Sequence, residues 1–229
     1  MDIIKKLAQE LAIKEEQAKA AVQLIDEGNT IPFIARYRKE MTGALNDETL
    51  RNLHERLLYL RNLEEKKEQV INAITDQGKM TEDLKKKILS AETLVAVDDL
   101  YRPYRPKKQT RATKAKEKGL EPLANILLLQ KTTKSMEEEA AAFVNAEKGV
   151  ANAKEAIAGA KDIIAEMIAD MADYRKSIRN CTMKQGSLVV KAKDEKAESV
   201  YEMYYDFREP LSKVTGYRVL AINRGEKEK

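Results

Sequence analysis

Ile3, Ile4, Leu7 and Leu11 recur at helical spacing and predict a short first helix. A second is expected over residues 14–27, burying Ala18, Ala21, Val22 and Ile25. Gly28-Asn29 ends it, since both residues tolerate positive φ. Pro32 then opens a third segment, where a first-turn N–H would have no partner within the helix. Two short helices, a turn and a third segment make a helix-turn-helix-like start. The clearest element spans residues 46–78. Asn46 or Asp47 caps it, Glu48 complements the helix dipole, and Leu50, Leu53, Leu57 and Leu60 form a seam that resumes at Val70, Ile71 and Ile74. Glu64 and Lys67 interrupt that seam. A coiled coil would not place them there, so the pattern predicts one long helix packed inside its own chain. Gly78 stops it, and Thr81-Glu82-Asp83 caps another helix reaching about Ala91.

Residues 94–100 are apolar, with Asp98 and Asp99 near their end; those carboxylates are expected to pair with Arg102 or Arg105. Residues 101–111 change character. Pro103 and Pro106 remove backbone donors and push their predecessors to extended geometry, so an exposed basic arm is expected. Helices follow over residues 113–118 and after Pro122. Residues 131–134 read as a linker. Ser135 and Glu138 form a capping box for a helix expected to end near Gly149. The Ala-rich stretch 152–185 predicts two helices broken between Asp170 and Asp173. Residues 187–193 read as a strand, whose partner is either a small hairpin or lies outside the chain. Residues 215–224 read as a capped helix or a strand, with the helix preferred. The fold class is therefore mainly α: multi-helical, a helix-turn-helix-like bundle with one long helix, and a small β element near the C-terminus. The expected division is 1–130 for the helical N-terminal part with its arm, and 131–229 for the rest.

Composition agrees. Of 229 residues, 43% are hydrophobic and 35% charged, the balance of amphipathic helices. Net charge is only +4, so clustering rather than total charge decides whether a polyanion can bind. One cysteine, Cys181, and one histidine, His54, permit neither an internal disulfide nor a Cys/His metal cage. Both are read as helix residues, Cys181 partly buried. The polar N-terminus and the absence of a long uncharged apolar run predict no signal peptide and no membrane span, hence a cytoplasmic chain. The nine glycines stand singly, so there is no phosphate-cradling loop. No Ser/His/Asp or Cys/His set is present. The expectation is no enzyme activity, no cofactor, no metal and no small-molecule substrate.

Two constellations remain. In residues 30–43, Phe33, Ile34 and Tyr37 are read as an apolar stripe with Arg36, Arg38 and Lys39 around it. Those cations can hold phosphates, or an arginine fork can tie a loop to a helix end. In the arm, Arg102, Arg105, Lys107, Lys108, Arg111 and Lys114 lie close together, followed by Lys116 and Lys118 and opposed only by Glu117, with Tyr101 and Tyr104 interleaved. Cations beside aromatic faces suit RNA or single-stranded DNA: charge for the backbone, π surfaces for bases. The alternative is a solvated loop with its tyrosines packed inward.

These segments also resemble the Tex family of bacterial transcription accessory proteins. The family's "PFIARYRKE" followed by "TG" and Leu occurs at residues 32–45, and its "LY-x-PY" with a basic run and Thr-Arg at residues 100–111. Gln77-Gly78-Lys79, Glu117-Lys118-Gly119-Leu120, Ala146-Glu147-Lys148-Gly149 and residues 218–228 match as well. Gly216-Tyr217-Arg218 departs from the family's Ser-His-Arg. The resemblance implies a cytoplasmic protein that binds nucleic acid and is related to an elongation factor travelling with RNA polymerase, which makes polymerase a second candidate partner. It also implies a longer protein, with an RNase H-like domain, helix-hairpin-helix elements and an OB-fold RNA-binding domain beyond this chain. The competing expectation is a protein-docking module, for polymerase or for those further domains, without nucleic-acid contact.

Overall fold

The first helix, α1 (Ile3–Leu11), begins where the Asp2 carboxylate accepts from the Lys5 amide. In the computed structural model, which describes residues 2–228 and leaves Met1 and Lys229 outside, the chain forms two compact units, 1–105 and 106–229. Within the first, α2 (Glu15–Asp26) opens with Gln17 accepting from the Lys14 amide, and α3 (Ile31–Tyr37) carries Pro32 in its first turn. The 30-residue α4 (Asp47–Asp76) is capped by Asn46, whose side chain accepts from the Thr49 amide at 2.7 Å.

Leu50, Leu53, Leu57 and Leu60 of α4 are buried with Leu7, Ala18, Ala21, Leu24 and Ile34, so α1–α3 cover its first half. The helices α5 (Glu82–Ser90) and α6 (Leu94–Tyr101) close around the second half through Leu63, Val70, Ile74, Ile88 and Val97. Two guanidinium forks fasten the bundle. Arg56 binds both oxygens of Glu10, one at 2.8 Å, and Arg61 binds both of Asp26 at 2.7 Å. Planar bidentate pairing of this kind fixes the registry of one helix on another. The break in the leucine seam has a structural reason. Lys67 is 3% exposed, and its Nζ donates to Glu64 Oε1 at 2.8 Å and to the Leu89 carbonyl at 2.9 Å. It therefore satisfies a carbonyl left open at the end of α5.

In the second unit, α7 (Arg111–Glu117), α8 (Glu121–Leu129) and α9 (Met136–Ala141) pack on α10 (Ala153–Asp170). Their core is built from small residues and a few aliphatics, among them Ala112, Ala115, Leu120, Leu123, Ala156, Ala160 and Ile163. Gly159 permits the close approach: a Cβ there would collide with Leu120 Cδ1 and sit 3.3 Å from Ala115 Cβ. After Met171 the chain continues as α11 (Ala172–Gln185). A two-stranded antiparallel sheet follows, β1 (Ser187–Lys191) with β2 (Asp206–Pro210), in register from Ser187↔Pro210 to Lys191↔Asp206. The last helix is α12 (Gly216–Lys227). Among the described residues the architecture is thus mainly α, twelve helices and one small sheet. None of these helices is long and apolar enough to cross a membrane.

Several expectations shift. The helix after Ser135 ends at Ala141, not near Gly149, because Asn145 and Val150 exchange two backbone hydrogen bonds and Asn145 Oδ1 takes the Lys148 amide. The second compact unit takes in α7 and α8, which find their core on α10. Cys181 is exposed rather than partly buried, since α11 buries none of its residues.

Candidate nucleic-acid interface

Within the first unit, the sequence that carries Arg36, Arg38 and Lys39 folds as α3 and the turn after it. Pro32 and the Thr30 carbonyl, which accepts from the Ile34 amide, start the helix. It stops within two turns because Thr42 draws the chain back. The Thr42 amide donates to the Arg38 carbonyl at 3.2 Å, and its buried hydroxyl donates to the Arg38 and Lys39 carbonyls. Gly43 and Ala44 both take φ of 60°, and the Ala44 amide reaches the Lys39 carbonyl at 2.8 Å. Gln17 fastens this turn to α2. Its Nε2 donates to the Gly43 carbonyl at 3.0 Å and the Thr42 carbonyl at 3.3 Å, while its Oε1 caps α2.

Arg36, Arg38 and Lys39 are exposed, and among the described residues none is in an ion pair with a carboxylate. Glu40 is the single acid in residues 30–45. The expected apolar stripe divides in two. Ile34 is fully buried, whereas Phe33 is 36% and Tyr37 65% exposed. Helical geometry explains this: Phe33 and Tyr37, four apart, share a face, while Ile34 lies about 100° round the helix from Phe33 and points into the core. The Phe33 and Tyr37 rings lie 5.3 Å apart, and the Arg38 guanidinium sits 5.3 Å from the Phe33 centroid.

The arm cations that belong to this unit are more engaged. Arg105 lies 3.2 Å from Asp98 and 5.7 Å above the Tyr101 ring, and Arg102 also has a partner. Tyr101 and Tyr104 pack against the apolar cluster of α4–α6, and Gln77 holds the Tyr104 carbonyl at 3.0 Å. Their rings are therefore core material. His54, half-buried on α4, lines a shallow concavity of about 420 Å³ with Ile25, Pro32, Arg51 and Glu55.

The arm cations of the second unit also differ from one another. Lys107 is held by Asp170 and by Glu166 at 3.2 Å. Burial pulls its pKa down, but the hydrogen bonds it donates to Asp170 and Glu166 outweigh that and raise it. Thr110 caps α7 and donates to Glu166 at 2.9 Å, so this end of the arm is anchored on α10. Arg111 is 87% exposed, with Asp162 at 3.7 Å, beyond hydrogen-bonding distance. Lys108 and Lys114 are exposed and in no ion pair among the described residues. Lys116 faces Glu121 at 3.4 Å, and Lys118 donates to the Gly149 carbonyl.

The nine sequence-predicted cations thus separate into engaged groups, Arg102, Arg105 and Lys107, and accessible ones, Arg36, Arg38, Lys39, Lys108, Arg111 and Lys114. Sequence reading missed Gln17, whose contacts lie 25 and 26 residues away. Only its capping position was legible locally.

Known proteins are similar along the whole chain. Residues 1–75 match the Tex-like protein N-terminal domain, and residues 131–229 match the Tex central region-like family. Protein YhgF of Escherichia coli is 46% identical over 225 residues, covering 97% of this chain and 29% of that protein. The transcriptional accessory protein Tex of Neisseria gonorrhoeae is 42% identical over 231 residues, 100% of this chain and 30% of its own length. The human S1 RNA-binding domain-containing protein 1 is 32% identical over 235 residues, covering 98% of this chain and 23% of that protein. The chain therefore spans about 30% of the length of the bacterial relatives it matches.

Proposed function

This chain belongs to the Tex family, and from that premise we propose that it is the non-enzymatic N-terminal scaffold of a cytoplasmic transcription accessory protein, binding nucleic acid, RNA by preference, through its accessible cations. One observation carries the reading: Arg36, Arg38 and Lys39 stand unneutralised on a turn that Gln17 and Thr42 hold rigid. A turn already fixed in place loses little backbone freedom when phosphates arrive. The names of two relatives, a transcriptional accessory protein and an S1 RNA-binding domain protein, support the same direction. In this reading the helix-turn-helix-like start contributes α3 as the contacting element, and Lys108, Arg111 and Lys114 are accessible cations of the second unit taken by itself.

The test is a salt titration of binding to single- and double-stranded RNA and DNA. The logarithm of affinity falls with the logarithm of salt by about 0.7 per neutralised phosphate on a single strand. Replacing Arg36, Arg38 and Lys39 together by Ala reduces affinity and lowers the slope by about 2. An unchanged slope removes this corner from the interface.

A second reading is favoured by α11. It buries no residue and exposes Tyr174 and Ile178, one turn apart on one face, with Ile178 65% exposed. An apolar helical face of that kind suits docking to a protein, RNA polymerase or the remainder of a longer chain. Under that reading the chain binds RNA no better than any mildly basic protein.

A further inference from the structure

We infer that Phe33 and Tyr37 form a stacking platform for an unpaired base of single-stranded nucleic acid, with Arg36, Arg38 and Lys39 holding the phosphates on either side. The inference rests on the nucleic-acid reading above and adds the strand state the site selects.

Two aromatic rings spaced four residues apart on one helix ordinarily turn into a core. Here the core position between them is taken by Ile34, which is fully buried, and the rings face solvent. Tyr37 is 65% exposed and Met41, on the adjoining turn, 51%. The Arg38 guanidinium covers one face of Phe33, and Phe33 backs Tyr37 at 5.3 Å with the planes tilted by 45°. Tyr37 is consequently the ring with open π surface, supported from behind. Every base has a π face, so such a surface accepts bases without reading their edges.

The charge around the rings selects the occupant. Three cations and one carboxylate lie within residues 36–40. A polyanion with exposed aromatic bases matches both features, whereas a duplex matches only the charge because its bases are stacked on one another. The turn itself is held. Gln17 bonds two successive carbonyls, Thr42 and Gly43, and the Thr42 hydroxyl bonds back to the end of α3. The backbone that carries ring and cations therefore keeps one arrangement, as a stacking site needs.

RNA and single-stranded DNA share this chemistry, so both are probes. Anisotropy is measured with labelled oligouridine, oligothymidine and a DNA duplex of matched length, using the whole chain. Tyr37→Ala is expected to weaken both single strands about tenfold, the effect of losing one stacked base, and the duplex less than about twofold. Phe33→Leu keeps the apolar bulk and is expected to weaken single strands by a smaller factor. Arg36→Ala with Lys39→Ala is expected to weaken single strands and duplex alike. Because the protein contains no tryptophan, Tyr37→Trp supplies a unique fluorophore, and quenching on addition of oligouridine reports stacking directly.

Outcomes separate cleanly. If the cation variant loses affinity while Tyr37→Ala lowers duplex and single strands equally, or neither, and Tyr37→Trp is not quenched, the platform is overturned and the electrostatic interface stands. If the cation variant changes nothing, the nucleic-acid reading of this corner fails and the platform with it. A stronger loss with oligouridine than with oligothymidine assigns RNA as the preferred strand; the reverse assigns DNA.

Discussion

Lys67 donates to the carbonyl of Leu89 from a position that the α4 seam would otherwise give to leucine. Its Nζ also binds Glu64, so one buried cation closes the α4–α5 contact. Lys67→Ala leaves the Leu89 carbonyl without this donor and removes one partner of the part-buried Glu64 carboxylate. The expected loss is about 2–4 kcal/mol, read as a lower denaturant midpoint. Lys67→Met retains the packed stem and is expected to cost about 1–2 kcal/mol. The exposed control Lys86→Ala should shift the midpoint hardly at all; equal shifts for Lys67 and Lys86 would refute the assignment.

Gly159→Ala tests the close contact of α10. Alanine is the better helix former by about 1 kcal/mol, yet overpacking against Leu120 and Ala115 costs about 1–3 kcal/mol. A net fall in melting temperature is expected. Pairing it with Leu120→Ala should show favourable coupling of about 1 kcal/mol in a double-mutant cycle, because the second change removes the collision. A rise in melting temperature for Gly159→Ala alone contradicts the packing described.

The guanidinium forks make part of the stability depend on pH. The hydrogen bond from Arg56 holds Glu10 below its usual pKa, and the one from Arg61 does the same for Asp26, both against the opposing effect of burial. A carboxylate whose folded pKa is depressed stabilises the fold above its unfolded pKa, about 4, and that contribution is lost as pH falls through the lower folded value. Melting temperature should therefore decline below about pH 4, and Arg56→Gln or Arg61→Gln should flatten the decline. Both pairs are partly open to solvent, which limits each to no more than about 1 kcal/mol.

Gln17→Ala should loosen the turn without unfolding the bundle. The Lys14 amide and the Thr42 and Gly43 carbonyls lose their partner. A cost of about 1 kcal/mol is expected, with faster amide exchange confined to residues 38–45 and weaker oligonucleotide binding. Exchange that rises uniformly across α1–α4 would mean that Gln17 serves the bundle and not the turn.

Local chemistry made much of this legible in advance. Asn46, Ser135 and the Gly78 stop fix helix ends through neighbours a few residues away, and the break between α10 and α11 falls inside the expected 170–173 interval. Elements decided at a distance were not legible. The partner strand β2 is Asp-Phe-Arg-Glu-Pro, with no β-branched residue, and only its pairing with β1 makes it a strand. Residues 142–149 look helical until Asn145 and Val150 bond to each other. In the candidate interface, cation positions are visible in sequence but their freedom is not. Lys107 and Lys108 are neighbours of equal charge, and the fold places carboxylates against the first alone.

The central place of α10 also bears on synthesis. Every helix of the first unit packs on chain already made by Arg105, so that unit can complete its core once Arg105 clears the ribosome. The helices α7–α9 instead bury themselves on α10, a segment translated after all three. At about 5–20 residues per second, their apolar faces wait some 3–12 seconds for it. Chaperone dependence in the cell should accordingly concentrate on residues 111–141, the stretch that emerges before its own support.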